Sequence, residues 1–244
     1  MQPLTQQFLD DCPQEGGFRL RGSEMTRIEV FVDAAFAFAV TLLVISFDAI
    51  PRTFDEMVIA IKTIPAFVAA VVQLVWIWQT HATWSKRYGL DDGATVWLSA
   101  LLLIVMLVYI YPMRILLEGA FNWASGGYLP SSFELANIEE LRFMFAFMGA
   151  AFGALCLTFV LLYRYALRQS DTLLLNAMEQ GRTRKVIKIW TGCMLIGFAL
   201  VALSMLLPQS IVSFSGFVLG LIGVWVFFVE SRHRNAEKSE EHQS

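Results

Sequence analysis

Apolar positions along this chain fall in long unbroken blocks, with neither the alternation of a strand nor the one-sided stripe of a soluble surface helix. Six blocks cover about residues 30–50, 64–84, 94–117, 143–163, 187–207 and 211–229. A helix rises 1.5 Å per residue, so roughly 20 apolar residues cross a hydrocarbon core of about 30 Å. Lipid offers no partner to an exposed amide, and unbroken apolar character fits a helix better than a barrel strand. The blocks therefore predict six transmembrane helices. The first is unusual, because Arg27, Glu29 and Asp33 stand just before or inside it.

Composition supports the membrane reading. Hydrophobic residues make up 57% of the 244 and charged residues only 16%, more apolar matter than a soluble core of this size could hide. Lysine and arginine then set the orientation. With the N-terminus inside, fourteen of the 18 fall on the inner side, and only Arg52, Lys62, Arg114 and Arg142 fall outside. That bias predicts cytoplasmic N and C termini and an even number of spans. The net charge of −3 averages two aqueous faces and points to no partner. No basic stretch interleaved with aromatics suggests nucleic acid.

Three segments follow: a cytoplasmic tail at 1–26, a six-helix membrane domain at 27–230 and a cytoplasmic tail at 231–244. Residues 1–26 lack the pattern of a cleaved leader. They read as a loose polar tail until Ser23 or Thr26 caps the first helix. Pro65 sits near the start of the second span, where its missing N–H matters least, and Pro112 is expected to kink the third. Long loops are expected at 118–142 and 164–188, the latter strongly basic, with a tight hairpin around Pro208.

Candidate chemistry is sparse. No phosphate-binding loop, dinucleotide fingerprint or zinc-protease pattern occurs, and Cys12, Cys156 and Cys193 form no metal or redox spacing. His81 is the one histidine inside a block. A metal site, a cofactor or an enzyme is hard to assemble from this set. The carbonyl filter sequence TVGYG of many potassium channels is absent as well.

What remains is the first block. Phe38, Leu42 and Ile45 lie at i, i+4 and i+7 on one helical face, with Thr41 at its border. Ala34, Ala35, Ala37 and Ala39 would let other helices approach closely. An apolar stripe alone is ordinary. Asp33 is not, because an intramembrane carboxylate needs a protein or watery partner. Arg27 is too far round the helix to serve, and Glu29 at i−4 repels. Trp78 and His81, in WIWQTH of the second block, are the candidate donors.

The stretch RIEVFVDAAFAFAVTLLVIS, residues 27–46, resembles the first-helix signature of the transmembrane protein 175 family of potassium channels. That signature is an arginine, three residues, Phe-Ser-Asp and an apolar helix with Thr-Leu-Leu. Arg27, Phe31, Asp33, Phe36, Thr41, Leu42 and Leu43 fit it, Trp78 stands three residues before His81 as in the family, and Pro112 matches near the end of the third span. The resemblance implies a homotetramer in a bacterial cytoplasmic (inner) membrane, with the first helices lining one potassium pore in the lipid bilayer. Phe38, Leu42 and Ile45 would form the constriction and Thr41 would lie beside the ion path. Arg27, Phe31, Asp33, Trp78 and His81 would form the supporting network. No cofactor is implied beyond the permeant potassium ion. Val32 replaces the family serine, and Phe38 replaces the usual isoleucine or leucine of the inner ring. The alternative is a proton-coupled secondary transporter using Asp33 and His81 as a relay. An intramembrane enzyme using the same pair ranks last.

Overall fold

The computed structural model describes residues 6–22, 24–45, 51–131, 133 and 135–241, with side chains except those of Gln6, Ile45 and 233–241. Among the described residues the fold is helical apart from one very short hairpin. In order it comprises α1 (Gln6–Asp11), β1 (Gln14–Glu15), β2 (Phe18–Arg19), α2 (Arg27–Ile45), α3 (Phe54–Lys62), α4 (Ile64–Tyr88), α5 (Gly93–Ala124), α6 (Ile138–Arg168), α7 (Ala177–Leu206), a 3₁₀ segment (Val212–Gly220) and α8 (Leu221–Glu241). Two compact units divide it, residues 1–136 and 137–244.

Among the described residues, five helical stretches are long and apolar enough to cross a membrane: Phe54–Tyr88, Gly93–Ala124, Ile138–Arg168, Ala177–Leu206 and Val212–Arg232. These correspond to the second through sixth apolar blocks. The first block corresponds to α2, which carries Arg27, Glu29 and Asp33 in its first two turns. The rest of that block, 46–50, lies outside the described residues.

The helices outrun the blocks, and the expected loops contract accordingly. The segment expected at 118–142 shrinks to 125–137, and the basic one at 164–188 to 169–176. Hydropathy marks only the lipid-facing length, whereas polar caps continue a helix into water. Asn137 accepts from the Glu140 amide at 3.0 Å to start α6. Asn176 and Glu179 close a reciprocal capping box at the start of α7. Asp92 accepts from the Thr95 amide at 2.8 Å to start α5. That helix runs unbroken through Pro112, and Pro65 takes the first turn of α4. The last block begins as a 3₁₀ helix, in which Val212 and Ser215 share the buried face three residues apart.

The N-terminal segment departs from the loose tail expected of it. Gly16 and Gly17, at φ 57° and 80°, turn the hairpin, and Leu9 and Phe18 are buried. The Phe18 ring meets Tyr88 edge-on with centroids 5.6 Å apart, and the Arg87 guanidinium lies 5.1 Å above it. The Gly22 amide donates to the Lys86 carbonyl at 3.0 Å. Gly89 ends α4 in the left-handed region at φ 57°, and a Cβ there would stand 2.8 Å from the Arg21 carbonyl carbon. A single phenylalanine and two close backbone approaches thus fix the segment onto the end of α4. Composition averaged over 26 residues conceals them.

In the second unit α6 and α7 pair closely at glycine. A Cβ on Gly149 would fall 2.6 Å from the Gly197 carbonyl oxygen, and one on Gly197 would fall 2.9 Å from the Gly153 amide nitrogen. Gly149 and Gly153 form a GxxxG spacing, the small-residue device that lets membrane helices meet along their backbones. Arg142 Nη1 donates to the Ser204 carbonyl at 2.7 Å and Nη2 to the Leu207 carbonyl at 2.6 Å. It thereby satisfies carbonyls that the end of α7 leaves without helical partners.

Candidate functional site

Helix α2 starts with a reciprocal cap. The Thr26 amide donates to Glu29 Oε2 at 2.7 Å, and the Glu29 amide donates to Thr26 Oγ1 at 3.3 Å. Thr26 is therefore the capping residue, and Glu29 serves the helix end.

The helix then presents two different faces. Val32, Phe36, Ala39 and Leu43, at i, i+4, i+7 and i+11, are all buried and pack α2 within the first unit. Another face carries Phe31, Phe38, Thr41 and Leu42, and it is exposed. Phe38 retains 58% of its accessible surface and Leu42 37%. A large exposed phenylalanine in the middle of a helix marks a surface completed by lipid, by another chain or by a pore. Ile45 ends α2, and its side chain is outside the described set. Thr41 Oγ1 donates to the Phe38 carbonyl at 2.6 Å. That bond uses the hydroxyl proton, so the oxygen is left as an acceptor facing the exposed side.

Asp33 obtains its donor from Trp78, whose Nε1 lies 2.7 Å from Oδ1. His81 is directed elsewhere. Its Nε2 lies 3.1 Å from Ser99 Oγ on α5, in a buried contact, and its ring centroid is 6.0 Å from that of Trp84. The two candidate donors for Asp33 thus split between two helix pairs: Trp78 joins α4 to α2, and His81 joins α4 to α5. Arg27 and Phe31 are exposed. Val32 is fully buried, so a methyl-bearing side chain fills the site where the family signature has a hydroxyl.

Sequence reasoning missed one further anchor. Arg114, counted only as a charge at a helix end, is buried within α5, and its Nε pairs with Glu118 Oε1 at 3.0 Å. Its Nη1 donates to the Leu43 carbonyl of α2 at 2.9 Å. An arginine and a glutamate four apart inside an apolar run were the available signal. Gln73 Nε2 also donates to the Tyr109 hydroxyl, tying α4 to α5. No group of three or more histidine, cysteine or acidic residues that could hold a metal occurs among the described residues.

Each of the three long helices of the first unit is thus tied to the other two by polar bonds. A protein from Marivirga tractuosa named "Potassium channel" is 34% identical over 175 residues, covering 70% of this chain and 70% of that one. The chain belongs to the TMEM175 family of potassium channels.

The family model, described as endosomal/lysosomal potassium channel TMEM175, matches residues 27–110. That range holds α2, Trp78, His81 and Ser99, and it stops before the Arg114–Glu118 pair. The fold is also similar to a crystal structure of the potassium channel MtTMEM175. That structure is a threonine-to-alanine variant in complex with a Nanobody–MBP fusion protein. The likeness has a TM-score of 0.78 at 28% identity and covers 92% of this chain and 99% of that one. TMEM175 relatives named as potassium channels place the chain among membrane ion-transport proteins, which is consistent with a protein that is not an enzyme.

Proposed function

We propose that the chain is a potassium-selective leak channel whose α2 helices line the pore of a homotetramer in a bacterial cytoplasmic membrane. In this reading residues 27–230 form one six-helix membrane domain, and the tails 1–26 and 231–244 face the cytoplasm. The observation that carries it is the division of α2 into two faces. Val32, Phe36, Ala39 and Leu43 dock on the first unit, and Phe38 and Leu42 are left uncovered. Four copies turned inward would place Phe38, Leu42 and Ile45 in successive apolar rings.

A ring of apolar side chains gates by excluding water, since an ion entering a narrow dry constriction loses hydration that nothing there replaces. Phe38, bulkier than the family's usual aliphatic residue, strengthens that barrier at the inner ring. Thr41, whose hydroxyl proton is held by the Phe38 carbonyl, offers only an oxygen to a passing cation. Asp33 and Trp78, with His81, Arg27 and Phe31, hold the helix against its neighbours. The relay needed for a proton-coupled transporter gains no support, because Asp33 bonds to Trp78 and His81 to Ser99.

The test is passive flux through purified protein in liposomes, with potassium and sodium gradients compared and no proton gradient imposed. Wild type is expected to pass potassium faster than sodium, and Phe38→Ala is expected to pass more of both. Silence of both proteins until a proton gradient is applied would overturn the channel reading.

A further inference from the structure

We infer that the second unit contains a binding site for the headgroup of an anionic phospholipid. Arg164 of α6, Arg184, Lys185 and Lys188 of α7, and Arg232 of α8 line one cavity of about 760 Å³. Among the described residues, no carboxylate lines it and none of the five is ion-paired. Five cationic side chains along one cavity favour an anion bound there, where charge-assisted hydrogen bonds to several of them are within reach of a single phosphate group.

The identity of the anion follows from the rest of the wall. Leu195, Trp225 and Phe228 supply its apolar part. Trp225 is held in place: its Nε1 donates to the Ile189 carbonyl at 3.2 Å, and its indole lies so close to α7 that a Cβ on Gly192 would stand 1.9 Å from that nitrogen. Arg232 stacks its guanidinium 4.5 Å from the Phe228 ring centre. In the sequence the cations also stand at the ends of apolar blocks. Arg164 directly follows the apolar block 143–163, Arg184 to Lys188 span the start of block 187–207, and Arg232 follows block 211–229. Leu195 and Phe228 lie within those blocks. A phosphodiester at the boundary would meet the cations while its acyl chains run along Leu195 and Phe228 into the hydrocarbon. A free phosphate would leave the apolar wall unused. Basic cavities between membrane helices at this depth suit anionic headgroups.

The test uses full-length protein in neutral detergent, titrated separately with dioctanoyl-phosphatidylglycerol, dioctanoyl-phosphatidylcholine and inorganic phosphate. Native mass spectrometry counts bound lipid, and thermal unfolding reads stabilisation. The glycerol lipid is expected to remain bound and raise the midpoint, with choline lipid and phosphate leaving it unchanged. K185Q/K188Q is expected to weaken binding at least fivefold, R232Q to weaken it less, and K86Q, in the first unit and not among the cavity's lining residues, to bind as wild type. Each variant's midpoint without lipid reports whether it folds. Equal retention of the choline lipid, equal stabilisation by phosphate, unchanged binding by both pocket variants, or an equal loss in K86Q would each overturn the site. Because ion flux is not read, this outcome is independent of the pore reading.

Discussion

Burying the Arg114 guanidinium is costly, and its surroundings show how the cost is offset. Nε meets Glu118 at 3.0 Å and Nη1 meets the Leu43 carbonyl at 2.9 Å, with only 10% of the arginine side chain and 3% of the glutamate side chain exposed. Such a pair adds little net stability over well-packed apolar residues, but breaking it leaves one charge alone in a low-dielectric site, at about 3–5 kcal/mol. Arg114→Met should therefore lower the thermal midpoint markedly, whereas Arg114→Met with Glu118→Leu should recover most of the loss. If the single and double variants unfold at the same temperature, the pair does not carry this energy. The same residue scale shows what a linear reading can and cannot find. Asp33 announced itself as a charge in an apolar run, and the Trp78 contact was legible as one of two candidates. The choice between Trp78 and His81 was not, because it depends on Ser99 reaching His81 from a third helix. Arg114 was counted only for topology, and such a count gives no sign that its guanidinium reaches the Leu43 carbonyl of another helix.

At the scale of elements, hydropathy located five helices long and apolar enough to cross a membrane and missed their ends. Apolar runs report where lipid touches a helix, whereas caps such as Asn137 and Asn176 decide where it starts. Close helix packing leaves a further signal in small residues, one that the hydropathy blocks do not carry. The Gly149-to-Gly153 spacing announces a close partner, but Gly192 becomes meaningful only when Trp225 is seen lying on it. That contact yields an interaction test. Gly192→Ala would place a methyl inside the indole, and expelling the ring would cost about 1–3 kcal/mol as overpacking while breaking its bond to Ile189. In a Trp225→Ala background that clash with the indole is gone, so the same substitution should cost much less. Thermal unfolding of the two single variants and the double variant measures this coupling. Additive losses would show that Gly192 matters to α7 for some other reason.

For the whole molecule, the open question raised by α2 is what covers its exposed face. Lipid, another face of the channel and a central axis all accept Phe38 and Leu42, but they differ in which residue meets its own copy. If four α2 helices surround one axis, a residue at that axis lies near its equivalent in the other subunits, and a cysteine there can pair with itself. A residue on the docked face, such as Ala39, is buried within its own unit and cannot. The native Cys12, Cys156 and Cys193 are buried, so they give little background. Leu42→Cys, oxidised in liposomes and run without reductant, is expected to yield a disulfide-linked dimer, since each bond joins two of four subunits. Ala39→Cys is expected to remain monomeric on the same gel, and a native mass of four chains should accompany both. Cross-linking at position 39 but not at 42 would place the opposite face at the symmetry axis. The pore would then have to be lined by residues other than Phe38 and Leu42.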